Sequence, residues 1–117
     1  MQRALAEGRT IDITTTGRRS GAPRRIEMWF HNLDGRVFLT GTPGQRDWYA
    51  NLVASPAFTF HLKEGVVADL PARAIPITEA DARRAILSRI VARVNRAADL
   101  EAWLAESPLV EVSFEGG

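Results

Sequence analysis

Four arginines fall within eight residues of one another, at positions 18, 19, 24 and 25 of the stretch TTTGRRSGAPRR (14–25). The same stretch holds two glycines, a proline and four hydroxyl side chains, and no acid. A guanidinium group donates in a planar fork that matches phosphate and carboxylate oxygens two at a time. Gly17 and Gly21 bracket Arg18, Arg19 and Ser20, so the backbone there can turn successive N–H groups inward. The chemistry this pattern offers is the binding of a small polyanion. A charged hairpin tip between two strands is the plainer reading, and composition alone favours it. Density speaks against it, because crowded like charges repel and a tip that needs only solubility usually mixes its signs.

Three aromatic side chains, Trp29, Trp48 and Tyr49, could flank a planar ligand. Trp29 shares strand parity with Glu27 and His31, which takes it off the apolar Ile26, Met28 and Phe30 face; core packing is the expectation for Tyr49 and Trp103. His31 and His61 have no partners at metal-ligand spacing, so both are expected to be structural or surface residues and no metal site is expected. No serine sits in a nucleophile elbow, and neither paired carboxylates nor a phosphate-loop consensus is present. A polyanion loop without acid–base machinery describes a redox protein whose cofactor carries the chemistry, or else a simple binding protein.

These residues need a scaffold, and the first half of the chain reads as strands. RTIDITTT (9–16) alternates Ile11 and Ile13 with polar, β-branched neighbours, and RIEMWFHNL (25–33) alternates again. Asp34-Gly35 is a two-residue hairpin signal leading into RVFLTGT (36–42). RDWYANLVASP (46–56) reads as a short helix capped by Asp47 and stopped before Pro56. AFTFHLK (57–63) turns at Glu64-Gly65 into VVADLPARAIPI (66–77), which Pro71 and Pro76 assign to an edge or a bulge. Thr78, Glu79, Ala80 and Asp81 form a capping-box variant ahead of a longer helix with the apolar stripe Ile86, Leu87, Ile90, Val91 and Val94. A short helix around 99–105 and a last strand, PLVEVSF (108–114), follow. The fold class is therefore mostly β or α+β: an antiparallel β-barrel of about six strands with two to three helices.

The 117 residues, 45% of them hydrophobic, suffice for a single domain over 1–117 with one core. Net charge is only +1, too balanced for a nucleic-acid binder. The positive field is local: residues 1–60 carry 8 basic and 5 acidic side chains, residues 61–117 carry 7 and 9. The absence of cysteine excludes disulfide scaffolds, thiolate metal sites and a cysteine nucleophile. No apolar run is long enough to span a membrane, and the N-terminus lacks the marks of a signal peptide, so a cytoplasmic protein is expected.

Taken in order, TTTGRRSGAPR (14–24), the Trp29-Phe30 pair followed by DGRVFLTG (34–41), and DWYANLVASP (47–56) resemble the deazaflavin-dependent nitroreductase family, split β-barrel proteins related to the flavin-nucleotide oxidases. The resemblance is closest between Thr14 and Pro56 and stays collinear to the C-terminus. It implies coenzyme F-420, a deazaflavin whose tail carries a phosphate and an oligoglutamate chain. By position it assigns Arg18, Arg19, Ser20 and Arg24 to that tail, with Arg25 only beginning the next strand. It puts Trp29 beside the cofactor, the Thr40-Gly41-Thr42 backbone against the deazaflavin ring, and Trp48 at the ring's border. The implied chemistry is hydride transfer from the reduced central ring to an electron-poor small molecule, with the protein orienting the partners and excluding water.

Two departures from the family pattern bear on this. The segment between Leu39 and Trp48 is short and lacks the lysine carried there by the characterised nitroreductases, for which Arg46 is the substitute. The stretch VNRAADLEAW (94–103) has none of the tyrosines that line their substrate side. The resemblance thus implies reduction of a quinone, enone or nitro compound by reduced F-420, with an FMN-binding oxidoreductase or a non-catalytic cofactor-binding barrel as the alternatives. Partners are expected to be the cofactor and a small substrate, with no nucleic acid and a possible homodimer.

Overall fold

The computed structural model describes residues 10–115; Arg9, where the first strand was expected to begin, lies outside them. Six strands form the closed antiparallel barrel β1-β2-β3-β6-β5-β4: β1 (Thr10–Thr16), β2 (Pro23–Leu33), β3 (Arg36–Thr40), β4 (Ala57–Leu62), β5 (Ala68–Pro76) and β6 (Leu109–Phe114). Three helices, α1 (Asp47–Ala54), α2 (Ala80–Arg93) and α3 (Leu100–Glu106), lie between them, with a 3-10 turn at Ala97–Asp99. The expected fold class is what the structure shows. Among the described residues no helix is long and apolar enough to cross a membrane.

The period-two alternation fills the barrel from inside. Ile11, Ile13, Phe30, Leu39, Phe60 and Val110 are buried in one cluster, with Phe60 edge-on to Phe30 and to Phe114 at 5.6 and 5.1 Å. A second cluster forms on the outer wall, where Ile86, Leu87, Ile90 and Val91 of α2 cover Leu33, Phe38 and Leu109 beside Trp103. Leu87 and Ile90 are fully buried, each worth roughly 1.5–3 kcal/mol relative to exposure. The Asp34-Gly35 hairpin forms as expected, with φ of 56° and 88° at its two turn residues. His31 lies on the covered outer wall, where burial first and then Arg93 push its pKa down to about 4.

Several local expectations are corrected. Pro71 and Pro76 do not mark an edge, because β5 pairs with both β4 and β6 in the closed barrel. The proline nitrogens cost little there: Pro76 ends the strand, and Pro71 lies beyond the last residue paired with β6, its carbonyl accepting from Glu115 N at 3.0 Å. Asp47 does not cap α1; Arg46 holds that position and Asp47 occupies the first turn. Glu79, not Thr78, caps α2, its carboxylate accepting from Asp81 N and Ala82 N at 3.1 and 2.7 Å. On β2, Phe30 is buried but Ile26 is 37% exposed, because the strand there has run on to the barrel mouth.

Candidate functional site

The arginine stretch is the β1–β2 hairpin. The ladder ends at Thr16 opposite Pro23, and the loop is closed by Gly17 N to Ala22 O and Gly21 N to Gly17 O, both 2.8 Å. Gly21 has φ of 72°, a left-handed conformation that favours glycine, and a Cβ at Gly17 would crowd Ala22 O and Ser20 Oγ at 3.1 Å. Ser20 Oγ accepts from Ala22 N at 3.2 Å.

Strand parity and α1 then divide the four arginines. Arg25 pairs with Thr14 on the outer wall, where its Nε donates to Asp12 Oδ2 at 3.0 Å. Lys63 reaches Asp12 and Glu27 there, and its hydrogen bond followed by that of Arg25 holds the Asp12 carboxyl below its ordinary pKa. Arg24 pairs with Thr15 on the opposite face. Arg18 turns back onto α1: its backbone N and Nη1 donate to Asn51 Oδ1 at 3.1 and 3.0 Å, and its Nη2 to Asp47 Oδ1 at 3.2 Å. Asp47 and Asn51 are four apart on a helix and so present one face to the loop. Asn51 is buried and also donates to Thr15 Oγ1 at 3.3 Å.

Together these elements enclose a cleft of about 520 Å³ lined by Thr15, Gly17, Arg18, Arg19, Ser20, Arg24, Ile26, Asp47, Trp48 and Asn51. Its one carboxylate, Asp47, is engaged by Arg18. Among the described residues neither Arg19 nor Arg24 has a hydrogen-bond or ion-pair partner, so two positive charges face the cleft uncompensated. Ile26 and the largely buried Trp48 supply an apolar wall. The donor set fits a phosphate or a run of carboxylates attached to something flat and less polar.

Five of the expected site residues meet here: Arg18, Arg19, Ser20, Arg24 and Trp48. The others do not line this cleft. Trp29 is 53% exposed on the outer face of β2. Thr40 is buried, its hydroxyl donating to Pro108 O at 2.5 Å. Gly41 and Thr42 begin the loop before α1, where Arg46 Nη2 donates to Thr42 O and Oγ1 at 2.9 and 2.8 Å. Arg46 lines a second cleft of about 840 Å³, which also meets Arg18 and Asp47. Thr15, Ile26, Asp47 and Asn51 were not among the expected site residues. The signal for the two α1 residues was available: a carboxylate and an amide at i and i+4 of a short apolar helix, beside an acid-free cluster of arginines.

The model of the F420H(2)-dependent quinone reductase family matches residues 2–112. The chain belongs to that family. It is a family of oxidoreductases that use reduced F-420, so the F-420 resemblance holds, and FMN is not the reductant the family is described by. Solved structures share the fold. A protein of unknown function from Agrobacterium tumefaciens aligns at a TM-score of 0.77 and 23% identity, over 97% of this chain and 51% of its own. The chain thus spans about half the length of that relative. An F420-H2 dependent reductase, FDR-A, aligns at a TM-score of 0.64 and 22% identity, over 91% of this chain and 95% of its own. The heme storage protein HutZ of Vibrio cholerae aligns at 0.74 and 16%, over 99% and 88%.

Proposed function

We propose that this domain is a reductase that takes F420H2 as its hydride donor and reduces a quinone-like, enone or nitro acceptor. The observation that carries the reading is the pair of unpartnered guanidinium groups, Arg19 and Arg24, over a glycine-closed loop in a chain of this family. Arg19 and Arg24 hold the phosphate and carboxylates of the cofactor tail, and the Ser20 hydroxyl donates to them. Arg18 plays a different part. Engaged by Asp47 and Asn51, it joins the loop to α1 and fixes where the other cations stand. Trp48 and Ile26 give the ring end an apolar wall that excludes water. When bound, the reduced deazaflavin supplies a hydride; the protein contributes position and dryness and no general acid of its own. The working unit is one cofactor-binding domain, and the exposed Trp29 supports pairing into a homodimer, which sedimentation measures directly.

The test is a fluorescence titration of oxidised F-420 and of FMN with purified protein. F-420 binds at micromolar concentration and FMN more weakly. Arg19→Ala and Arg24→Ala each weaken F-420 binding by about 5- to 20-fold at low salt, less at high salt, while Arg25→Ala leaves it within about twofold. Tight FMN binding with no F-420 response would sink the reading.

A further inference from the structure

Ser20 stands at the tip of the β1–β2 hairpin, past the last ladder pair of Thr16 with Pro23, and directly follows two arginines. Of the five serines in the chain it alone has a basic residue at each of the two preceding positions. Arg18, Arg19, Ser20, Gly21 and Ala22 are all exposed, so an enzyme approaching from solvent meets this segment outside the barrel wall. A serine behind paired arginines on an exposed turn offers the charge pattern by which a basophilic protein kinase selects its substrate.

The surroundings of the hydroxyl favour a phosphoryl group there. Ser20 Oγ and Arg24 Nε lie 3.1 and 3.5 Å from the position a Cβ on Gly17 would take, so hydroxyl and guanidinium are neighbours across the loop. Neither Arg24 nor Arg19 has a hydrogen-bond or ion-pair partner among the described residues. The one carboxylate lining the cleft, Asp47, is engaged by Arg18 at 3.2 Å. Ser20 Oγ itself accepts from Ala22 N at 3.2 Å, an amide that a phosphoryl oxygen can take over. A phosphoserine carries about two negative charges and three acceptor oxygens; opposite an arginine cluster it orders a loop, whereas beside free carboxylates it would disrupt one.

We propose that Ser20 is a phosphorylation site, and that its phosphoryl group, seated on Arg19 and Arg24, shuts the cleft to anionic ligands. The γ-phosphoryl of ATP passes to Ser20 Oγ. The new O–P bond replaces the β–γ anhydride bond, ADP leaves, and the hydroxyl proton goes to solvent. The loop then carries its own occupant for both cations, and an incoming polyanion meets a dianion in their place. That the closed cleft is the cofactor site rests on the F420H2-dependent reading above; the seating on Arg19 and Arg24 rests on the loop alone.

Two measurements keep those apart. Purified protein is treated with ATP and the catalytic subunit of cyclic-AMP-dependent protein kinase, and peptide mass mapping locates the phosphoryl group. It is found on Ser20 in the wild type and is missing from the hairpin in Ser20→Ala. Phosphoserine is also encoded at position 20, so that every molecule carries it. At low salt this raises the unfolding midpoint by about 4 °C, and the combined Arg19→Ala and Arg24→Ala change abolishes the gain. The same phosphoserine weakens F-420 binding by about 30-fold, against about threefold for Ser20→Ala, which loses only the hydroxyl contact. A kinase reaction that leaves Ser20 bare, a midpoint gain that survives the loss of both arginines, or equally tight F-420 binding with and without the phosphoryl group overturns the proposal. If the gain depends on the arginines and neither form binds F-420, the reductase reading fails and the modification site stands.

Discussion

The residue that decides whether the arginine hairpin is a site or a loose turn is Asn51, which never enters the loop itself. Its Oδ1 accepts from both the backbone N and Nη1 of Arg18, at 3.1 and 3.0 Å, and its Nδ2 donates to Thr15 at 3.3 Å. Asn51 is 5% exposed, so little water can replace it. Asn51→Ala removes both acceptor contacts and leaves the Arg18 amide with no protein partner. An unsatisfied group of this kind costs about 1–3 kcal/mol, and we take about 2 for this partly buried amide. For a chain of this size that is roughly a 6–12 °C fall in Tm. The same change frees the loop, so F-420 has to order it on binding; about 1 kcal/mol of ordering entropy raises Kd about fivefold. Asn51→Asp separates the two effects. It keeps an oxygen where Oδ1 accepts from Arg18 and so recovers most of the Tm, but its carboxylate beside Asp47 opposes an anionic ligand, and F-420 affinity stays low. Differential scanning fluorimetry gives the Tm and cofactor fluorescence gives Kd. If Asn51→Ala unfolds with the wild-type midpoint and binds F-420 unchanged, then α1 does not organise the loop and the division of the arginines argued above is wrong.

Two further expectations concern the scaffold. His31 has its pKa pushed down to about 4 by burial and Arg93, below its ordinary 6.5, so on acidification the unfolded chain takes up the proton first. Stability from this group is full above about pH 6.5 and declines by about 3 kcal/mol as pH falls to 4; urea unfolding of wild type and His31→Leu at pH 7 and 4.5 measures it, and parallel losses in both refute it. Arg83 binds the carbonyls of Ile77, Trp103, Leu104 and Ser107, and Arg83→Met costs about 2–4 kcal/mol by leaving them unpaired in a partly buried site. Arg84, exposed and paired only with Glu101, tolerates the same change within about 0.5 kcal/mol, and equal effects at the two positions would refute the distinction.

How far the sequence carries the reader depends on the range of the interaction. Strands and helices follow from spacing within a few residues, and so does the Asp34-Gly35 turn, because φ preference is a local property. The candidate cleft was legible in part as a density of arginines, again within one segment. What was not legible was which arginines are free. That depends on Asp47 and Asn51, 29 and 33 residues from Arg18 along the chain, and on whether α1 packs over the hairpin. Asp47 read as a cap because acids favour helix starts; the ion pair with Arg18 suits the same first-turn position. The prolines of β5 read as an edge because barrel closure is a property of all six strands, and no single strand shows it. The resemblance assigned the Thr40-Gly41-Thr42 stretch by its backbone and said nothing of the Thr40 side chain, whose place depends on β6 lying alongside, where the hydroxyl goes to Pro108 O.

The Arg18–Asp47 pair has a consequence for the direction of any ligand that reaches both clefts. Each cleft has its own uncompensated cations, Arg19 and Arg24 in one and Arg46 in the other, and the pair between them is close to neutral. The Asp47 carboxylate is 90% exposed, so it stands at the crossing, while the Arg18 guanidinium is two-thirds covered. A chain of carboxylates following the arginine hairpin therefore meets a negative group where the clefts join and is turned outward toward solvent. An uncharged ring meets no such obstacle. The two cation clusters are thus separated by an exposed carboxylate, so an anionic chain lying in one cleft does not run on into the other.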